Sequence, residues 1–276
     1  MNGAATAPAT LRGLLYYAGL TWFLCRVSLR RLVTYRADFL LGAIGFVVRT
    51  GVQCLLIGIV FGRVPTLDGW TRDEVLFLFG FALLPRGLDR LFTDWLWFVA
   101  GRLVYTGEFD RYLVRPLRPL YSIVAERFLW PDGAAELIVG LSLVGYAGHR
   151  LDVPLWSAGT LVVAPLCVLC GALIYAAVKL LCASLAFWVL ISHPTMHAAY
   201  QVAEFSGFPA GLYPAPFQWV LTWLLPFAFT ATVPVSYLLS GEPGHLVWLP
   251  VVTAVAVAVA LAAWTRGLAA YRSTGN

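Results

Sequence analysis

Apolar stretches long enough to cross a lipid bilayer recur along this chain. A crossing takes about 20 helical residues, and the clearest candidates are residues 39–61, 74–98, 128–147 and 246–265. Hydrophobic residues make up 60% of the chain and charged residues 12%, against roughly 45–50% and about 25% in ordinary globular chains. The sequence therefore predicts an all-α integral membrane protein with little room for a separate aqueous catalytic domain.

One apolar stretch is too long for a single crossing. Residues 155–191 form a nearly unbroken run of 37 residues, which as a straight helix would be about 55 Å long. Because the single lysine, Lys179, would be unfavourable in the middle of a membrane, we predict a tight cytoplasmic turn just after it, between spans at 157–178 and 184–206. The alternative keeps 155–191 as one long helix and makes 217–239 the fifth crossing, and both versions give six crossings.

The apolar stretch 215–240 is interrupted by proline. Pro216, Pro226 and Pro234 lie within it and argue against a regular helix, because proline removes a backbone donor and clashes with the preceding turn. We predict an outer re-entrant hairpin, which enters and leaves the outer leaflet with its broken backbone shielded by the rest of the protein.

The distribution of basic residues predicts the orientation. With the N-terminus in the cytoplasm, the outer loops carry three basic residues, namely Arg63, Arg72 and Arg150. The inner segments carry thirteen, namely Arg12, Arg26, Arg30, Arg31, Arg36, Arg102, Arg111, Arg115, Arg118, Arg127, Lys179, Arg266 and Arg272. This bias predicts a multi-pass protein of the plasma (inner) membrane with both termini in the cytoplasm. The scattered arginines, at a net charge of +5, do not form the dense basic patch that binds nucleic acid.

The first 36 residues contain a short apolar core, LLYYAGLTWFLC, but they are not typical of a cleaved signal peptide. Arg26, Arg30 and Arg31 follow this core where a small-residue cleavage site should be. Arg26, Arg30 and Thr34 share one helical face, in line with Arg12. We therefore predict an uncleaved helix that lies along the inner membrane surface.

The predicted second span carries four charged residues, namely Arg86, Asp89, Arg90 and Asp94. At about 100° per residue they fall within an arc of about 140° and share one face. The pairs Arg86–Asp89 and Arg90–Asp94 have the spacing that lets charges neutralise each other along a helix. This face should point into the protein or a wet cavity, either as a structural ionic ladder or as a gate on a substrate route.

Arg49 lies halfway along the first predicted span, too far from either surface to reach it easily. It needs an acidic partner or water, and Asp89, Asp94 or Glu136 could serve. A structural pair and a pore-lining role both fit its position.

His193 and His197 stand four residues apart on one face of the fifth predicted span. A zinc site would need a third ligand, so we predict buried, hydrogen-bonding histidines and no metal site. The chain also lacks GxSxG, HExxH and Walker A patterns. We therefore expect no catalytic residues and no cofactor bound by this chain.

The longest polar interruption is the inner loop 101–127, with the sequence GRLVYTGEFDRYLVRPLRPLYSIVAER. Its charged residues include Glu108, Asp110, Arg111, Arg115 and Arg118, and its prolines are Pro116 and Pro119. The arginines recur at near-helical spacing, and the prolines end any helix sharply. The pattern predicts a short, rigid, amphipathic element that docks a partner protein, with contact to anionic lipid as the alternative.

Two segments of the chain resemble a known family. The run GEFDRYLVRPL, from Gly107 to Leu117, resembles the G-x-hydrophobic-D-x-x-L-x-R-P signature that follows the second span of small ABC-2-type permeases. The run LPFAF, from Leu225 to Phe229 and followed by Pro234, resembles the segment after their fifth span. The resemblance covers about residues 15–266.

The resemblance implies a fold and a division of the chain. It implies six spans with cytoplasmic termini, an interfacial N-terminal helix, a cytoplasmic coupling helix and outer re-entrant helices, and it favours two spans within 155–191. The domains would be a tail and interfacial helix at 1–36, a six-span permease at 37–266 and a cytoplasmic tail at 267–276.

The resemblance also implies a function. Such permeases pair as homodimers or heterodimers and work with two copies of a separate ABC ATPase, which holds the ATP and Mg²⁺, and the segment Gly107–Pro119 would couple to that ATPase. The expected function is the permease of an ATP-driven exporter for an amphipathic small molecule or a lipid-like substrate. An ion-coupled secondary transporter fits less well because the prolines concentrate in the second half of the chain. An integral-membrane enzyme would need a clustered catalytic set.

Overall fold

The computed structural model describes residues 9–34 and 36–272, with the side chains of residues 16–30 and 40–272. Residues 1–8 and 273–276 of the two predicted tails, and the side chains of Arg12, Arg31, Thr34 and Arg36, lie outside this description. The described chain is helical and contains no β-strand. The long helices are α1 (Ala9–Thr34), α2 (Arg36–Phe61), α3 (Arg72–Thr93), α7 (Pro131–Arg150), α8 (Ala158–Val189) and α12 (Leu249–Ala270). The shorter helices are α4 (Leu96–Phe98), α5 (Asp110–Leu113), α6 (Pro119–Val124), α9 (His193–Glu204), α10 (Ala215–Trp219) and α11 (Thr232–Ser240).

Three helical segments are long and apolar enough to cross a membrane by length and composition. They are Leu40–Phe61, Ala158–Val189 and Gly244–Ala270, with mean hydropathies of 2.0, 2.5 and 2.5. The predicted all-α membrane class is therefore confirmed. The α3 and α7 helices are long but less apolar because they hold ionisable residues, so the predicted number of six crossings stays a prediction.

The run 155–191 contains one continuous helix, α8, of 32 residues. The predicted turn after Lys179, and with it the division into spans at 157–178 and 184–206, is wrong, and the single long helix of the alternative is correct on this point. Lys179 is completely buried in the interior of α8. It can stay there because two carboxylates from α3 neutralise it, which removes the reason for a turn.

The α3 helix packs against α7 through glycines. A methyl group on Gly80 would lie 2.6 Å from the Cβ of Leu143, and one on Gly133 would lie 2.7 Å from the carbonyl oxygen of Gly87. Small residues let two membrane helices approach closely enough for their backbones to touch. This contact brings the charged face of α3 within reach of α7.

Between α9 and α12 the backbone forms only short helical pieces. Short 3₁₀ turns at Phe205–Gly207 and Ala210–Leu212 lead to α10, a π-helical turn at Val220–Leu224, a 3₁₀ turn at Phe227–Thr230, and α11. Residues of both α10 and α11 line one common cavity, and we call the segment 215–240 the α10–α11 hairpin. The predicted interruption of the helix within 215–240 is present, and the continuous helix that a regular crossing at 217–239 requires is not formed.

The turn of this hairpin is buried against the middle of α8. Phe227, Phe229 and Thr230 are fully buried, and the rings of Phe227 and Tyr175 lie 5.1 Å apart. Burial within protein is what allows non-helical backbone in an apolar chain, because the neighbouring side chains and turns satisfy its polar groups.

The α1 helix contacts α6. The hydroxyl oxygens of Thr21 and Tyr121 lie 3.0 Å apart, and the ring of Tyr17 lies 4.8 Å from that of Tyr121. These contacts join the N-terminal helix to the segment that follows α3.

Candidate functional site

Six ionisable residues from three helices form what we call the ionic cluster. They are Arg86, Asp89, Arg90 and Asp94 at the C-terminal end of α3, Glu136 of α7 and Lys179 of α8. Three are cations and three are carboxylates, so their formal charges cancel. The cluster consists of two groups that lie side by side along α3.

The first group surrounds Lys179. Its ammonium nitrogen lies 2.8 Å from Oδ2 of Asp89 and 2.9 Å from Oδ1 of Asp94, and it donates to the Thr93 hydroxyl at 3.0 Å. These three contacts match the three donors of an ammonium group. Tyr200 of α9 also donates to Asp89, at 3.0 Å. The buried cation is therefore fully satisfied, which is the condition under which a buried ion pair can persist.

The second group centres on Glu136, whose side chain is 1% exposed. Its Oε1 lies 2.9 Å from Nη1 of Arg90 and 3.2 Å from Nε of Arg86. Its Oε2 has no hydrogen-bond partner among the described residues. One carboxylate therefore serves two guanidinium groups.

The closest ion pairs do not run along α3 as predicted. Both arginines lie nearest to Glu136 of α7 and both aspartates to Lys179 of α8, and Asp94 adds a weaker attraction for Arg90. The physical reason is that the charged face of α3 is packed between these helices. Opposite charges on facing helices are then desolvated together, and they attract more strongly than neighbours along one surface.

Arg49 pairs with Glu204, at the C-terminal end of α9. The predicted partners Asp89, Asp94 and Glu136 are wrong, because all three are engaged in the ionic cluster. The side chains of Arg49 and Glu204 are 57% and 38% exposed. The sequence did contain a signal for this pair. Arg49 is the single charged residue within the apolar stretch 39–61, and Glu204 is the single carboxylate near the end of the fifth predicted span.

His193 and His197 occupy the first turns of α9, and both are exposed. The prediction that they are buried is wrong. The ring of His193 lies 5.4 Å from that of Trp97 and 6.4 Å from that of His197. Within the described residues, no group of three or more His, Cys, Asp or Glu side chains is arranged to hold a metal ion.

The segment Gly107–Pro119, which we call the arginine–proline loop, lies between α4 and α6. Gly107 has a φ of +73°, a conformation that glycine adopts without strain. The loop contains a single helical turn, α5, and Pro119 begins α6. The predicted coupling helix is thus reduced to one turn, because Pro116 follows too closely for a second.

Phe109 fastens the arginine–proline loop to the ends of two long helices. Its side chain is fully buried, with its ring 5.1 Å from that of Phe187 in α8 and 5.0 Å from that of Tyr271, just after α12. The Tyr271 hydroxyl donates to Oδ1 of Asp110 at 2.9 Å. Burial, together with this hydrogen bond, raises the pKa of Tyr271 to about 12. The sequence analysis did not identify Phe187 or Tyr271 as partners of the loop.

Tyr112 organises the arginines of the loop. It is fully buried, and its hydroxyl accepts hydrogen bonds from Trp95 at 3.0 Å and Arg111 at 2.8 Å. The guanidinium carbons of Arg111 and Arg115 each lie 4.9 Å from the centre of its ring. The hydrogen bond to Tyr112 raises the pKa of Arg111. Two arginines are therefore held in fixed positions on one aromatic ring.

Further ion pairs surround the loop. Arg115 pairs with Glu126 at 2.8 Å, and Glu108 pairs with Arg102 at 3.0 Å. Arg118 and Pro116 are exposed, and so is Val114, at 84%. The loop is thus a rigid base that presents apolar and basic side chains outward. Such a surface can bind another protein.

Comparisons with known proteins agree with this architecture. A family model described as ABC-2 family transporter protein matches residues 47–275, which include every residue of the ionic cluster and the whole arginine–proline loop. The resemblance seen in the sequence is thereby confirmed. The chain matches none of the curated proteins and none of the solved structures compared with it.

Proposed function

The chain belongs to the ABC-2 family of transporter proteins and is a membrane permease component of an ABC transporter, and we propose that it serves in an exporter. In this proposal it carries an amphipathic small molecule or a lipid-like substrate out of the cytoplasm. Two copies of a separate ABC ATPase, which hold the ATP and Mg²⁺, drive it. A second permease, identical or paralogous, completes the complex in the plasma membrane.

The proposed topology has six crossings, formed by α2, α3, α7, α8, the broken segment 193–212 and α12. Two contacts support the fifth crossing. The start of α9 contacts Trp97, just after α3, whereas Gly211 packs too closely for a Cβ against Asp68, in the loop before α3. The segment between them therefore runs the length of α3. The α10–α11 hairpin would then enter from the outer side.

The predicted orientation does not depend on a cytoplasmic turn at Lys179. Without that residue the inner segments carry twelve basic residues (thirteen minus one) against three in the outer loops. The bias still supports cytoplasmic termini, and with them a position of the arginine–proline loop on the side of the proposed ATPase.

The attachment of the arginine–proline loop carries the proposal. Phe109 and Asp110 join it to the ends of α8 and α12, and Tyr112 makes its base rigid. Closure of the ATPase dimer on ATP would push on the exposed tip, and a rigid loop passes such a displacement to the helices that hold it. Tilting of these helices would open the substrate route outward.

The tip residue Val114 provides the test. Val114→Glu should abolish co-purification of a Walker A-containing ATPase from native membranes, because it places a charge on an exposed apolar contact. Val247→Glu is the matched control, since Val247 is 68% exposed at the other end of the proposed topology. It should leave co-purification unchanged, as measured by mass spectrometry and ATPase activity of the purified preparation. Equal ATPase yield from both variants would refute the docking role.

A further inference from the structure

A cavity of about 180 Å³ with several polar side chains in its lining lies between α2, α3 and α9. These polar side chains belong to Gln53, Arg86, Tyr175, Gln201, Glu204 and Ser206, and aromatic rings including Phe79 and Phe208 complete the lining. Arg86 is 14 residues from the start of α3, so the cavity lies roughly 20 Å along that helix. Two amides and a guanidinium are energetically costly at this depth of an apolar chain, which indicates that they serve a function.

Arg86 has donors to spare for a ligand. Its single ion-pair partner among the described residues is Glu136, at 3.2 Å, and that carboxylate lies closer to Arg90, at 2.9 Å. The ion pair involves the buried Nε of Arg86, which forms no hydrogen bond within the described chain, so the two Nη nitrogens are the atoms available to a ligand. A guanidinium has five N–H donors, so most of them can serve a molecule in the cavity.

The charge balance of the cavity favours an anion. Glu204 lines it, but its carboxylate is bound by Arg49, one helical turn before Gln53 on α2. Arg86 shares the charge of Glu136 with Arg90. The carboxylate in the lining is therefore neutralised by Arg49, whereas the guanidinium in the lining, Arg86, is only partly neutralised.

We propose that this cavity binds the anionic head group of an amphipathic molecule, with Arg86 as its direct partner. The planar guanidinium fits a carboxylate or phosphate in two-point geometry, and Gln53 and Gln201 supply further hydrogen bonds. The volume is below the roughly 300–1,000 Å³ of sites that enclose a drug-sized ligand, so the cavity holds the head and the apolar remainder lies outside it. This inference rests on the proposed function, because it names the chemistry of the substrate.

The test uses the permease alone, purified without ATPase in phosphatidylcholine nanodiscs. The probes are a long-chain fatty acid with a photoactivatable diazirine and the alcohol of the same chain. The acid should label peptides around residues 201–208 about tenfold more than the alcohol does, the factor expected from one charge-assisted interaction. Labelling of the lipid-exposed stretch 251–259 normalises for partition into the bilayer.

Two arginine variants separate binding from structure. Arg86→Gln should reduce labelling by the acid about tenfold, whereas Arg150→Gln, which removes a guanidinium that pairs with Asp73 away from the cavity, should leave it within about twofold. Should Arg86→Gln fail to fold, Gln201→Leu on the exposed side carries the test, with a loss of about threefold expected for a neutral hydrogen bond. Equal labelling by acid and alcohol, or equal losses in the two arginine variants, would overturn the proposal.

Competition identifies the source of the head group. Displacement of the probe by phosphatidylglycerol in the nanodisc identifies a lipid head group, whereas displacement only by a soluble short-chain carboxylate identifies a small molecule. Both results require Arg86 and support the site. Because no ATPase is present, failure of the docking role of Val114 does not affect this measurement.

Discussion

The buried group around Lys179 and the exposed pair Arg49–Glu204 contain the same kinds of charge in different surroundings. Lys179 is completely buried and meets two carboxylates, a hydroxyl and an aromatic ring. Arg49 meets one carboxylate, and more than half of its side chain is exposed. The comparison shows that burial determines whether an ion pair is a fixed structural contact or one that can open. Buried charges cannot separate without a large penalty, whereas exposed partners exchange at little cost.

The largest effect is expected from Lys179→Met. It leaves Asp89 and Asp94 without their cation in a desolvated site, which should lower the free energy of unfolding by about 3–5 kcal/mol. Thermal unfolding of the purified protein in detergent measures the loss. The triple variant with Asp89→Asn and Asp94→Asn should recover most of it, because no charge is then left unpaired. An unchanged unfolding temperature in Lys179→Met would show that the buried Lys179 group contributes no more to stability than the exposed Arg49–Glu204 pair.

Glu136→Gln should have the next largest effect. It removes the carboxylate that Arg86 and Arg90 share, but these side chains are 17% and 25% exposed and reach some water. We therefore expect a smaller loss than for Lys179→Met, on the order of 2 kcal/mol, in the same thermal assay. A loss as large as that of Lys179→Met would show that the two groups are equally desolvated.

Tyr271→Phe tests a partly buried contact between the two extremes. It removes one hydrogen bond to Asp110 and keeps the ring, so the free energy of unfolding should fall by about 1 kcal/mol. If the loop transmits motion, substrate-stimulated ATPase activity should fall more than ATPase binding. Phe187→Leu is the companion variant, since it removes a ring contact to Phe109 and keeps the hydrogen bond. Loss of ATPase binding and of coupling in equal measure would contradict a transmitting role.

The same residue gives a pH prediction. The pKa of Tyr271 is raised to about 12 in the folded protein, against about 10 in an unfolded chain. A raised pKa means that the stabilising contribution is complete below pH ~10 and is lost as the pH rises towards ~12. The difference between the ultraviolet tyrosinate titrations of the wild type and Tyr271→Phe should show one group titrating near the upper value. A midpoint near that of a free tyrosine would mean that the Tyr271 hydroxyl is neither buried nor bonded to Asp110.

The smallest effect on stability is expected from Arg49→Gln. An exposed ion pair contributes about 1 kcal/mol or less, so a double-mutant cycle with Glu204→Gln should give a coupling energy in that range. Transport should change more than stability, because the pair borders the cavity. Coupling as strong as that of Lys179 with Asp89 would show that the pair is buried in the assembled complex.

Several features were predictable from the sequence because they depend on local composition. Pro216, Pro226 and Pro234 mark the broken hairpin, since proline disrupts a helix wherever it lies within one. Gly107 and Pro119 delimit the arginine–proline loop, and the order of its residues was enough to indicate the family. The continuity of α8 was not predictable, because a lysine in an apolar run is unfavourable until its partners are known.

By itself, the sequence determined that the chain is a helical membrane protein of the ABC-2 type, because apolar length and short signatures are properties of contiguous residues. Only the tertiary structure decided which charges meet, that Lys179 stays inside α8, that Phe109 joins the loop to α8 and α12, and that His193 faces outward. The physical reason is that the stability of a charge in an apolar environment depends on the helix packed against it. That neighbour comes from residues far away along the chain, 85 positions for the buried Lys179 and its partner Asp94.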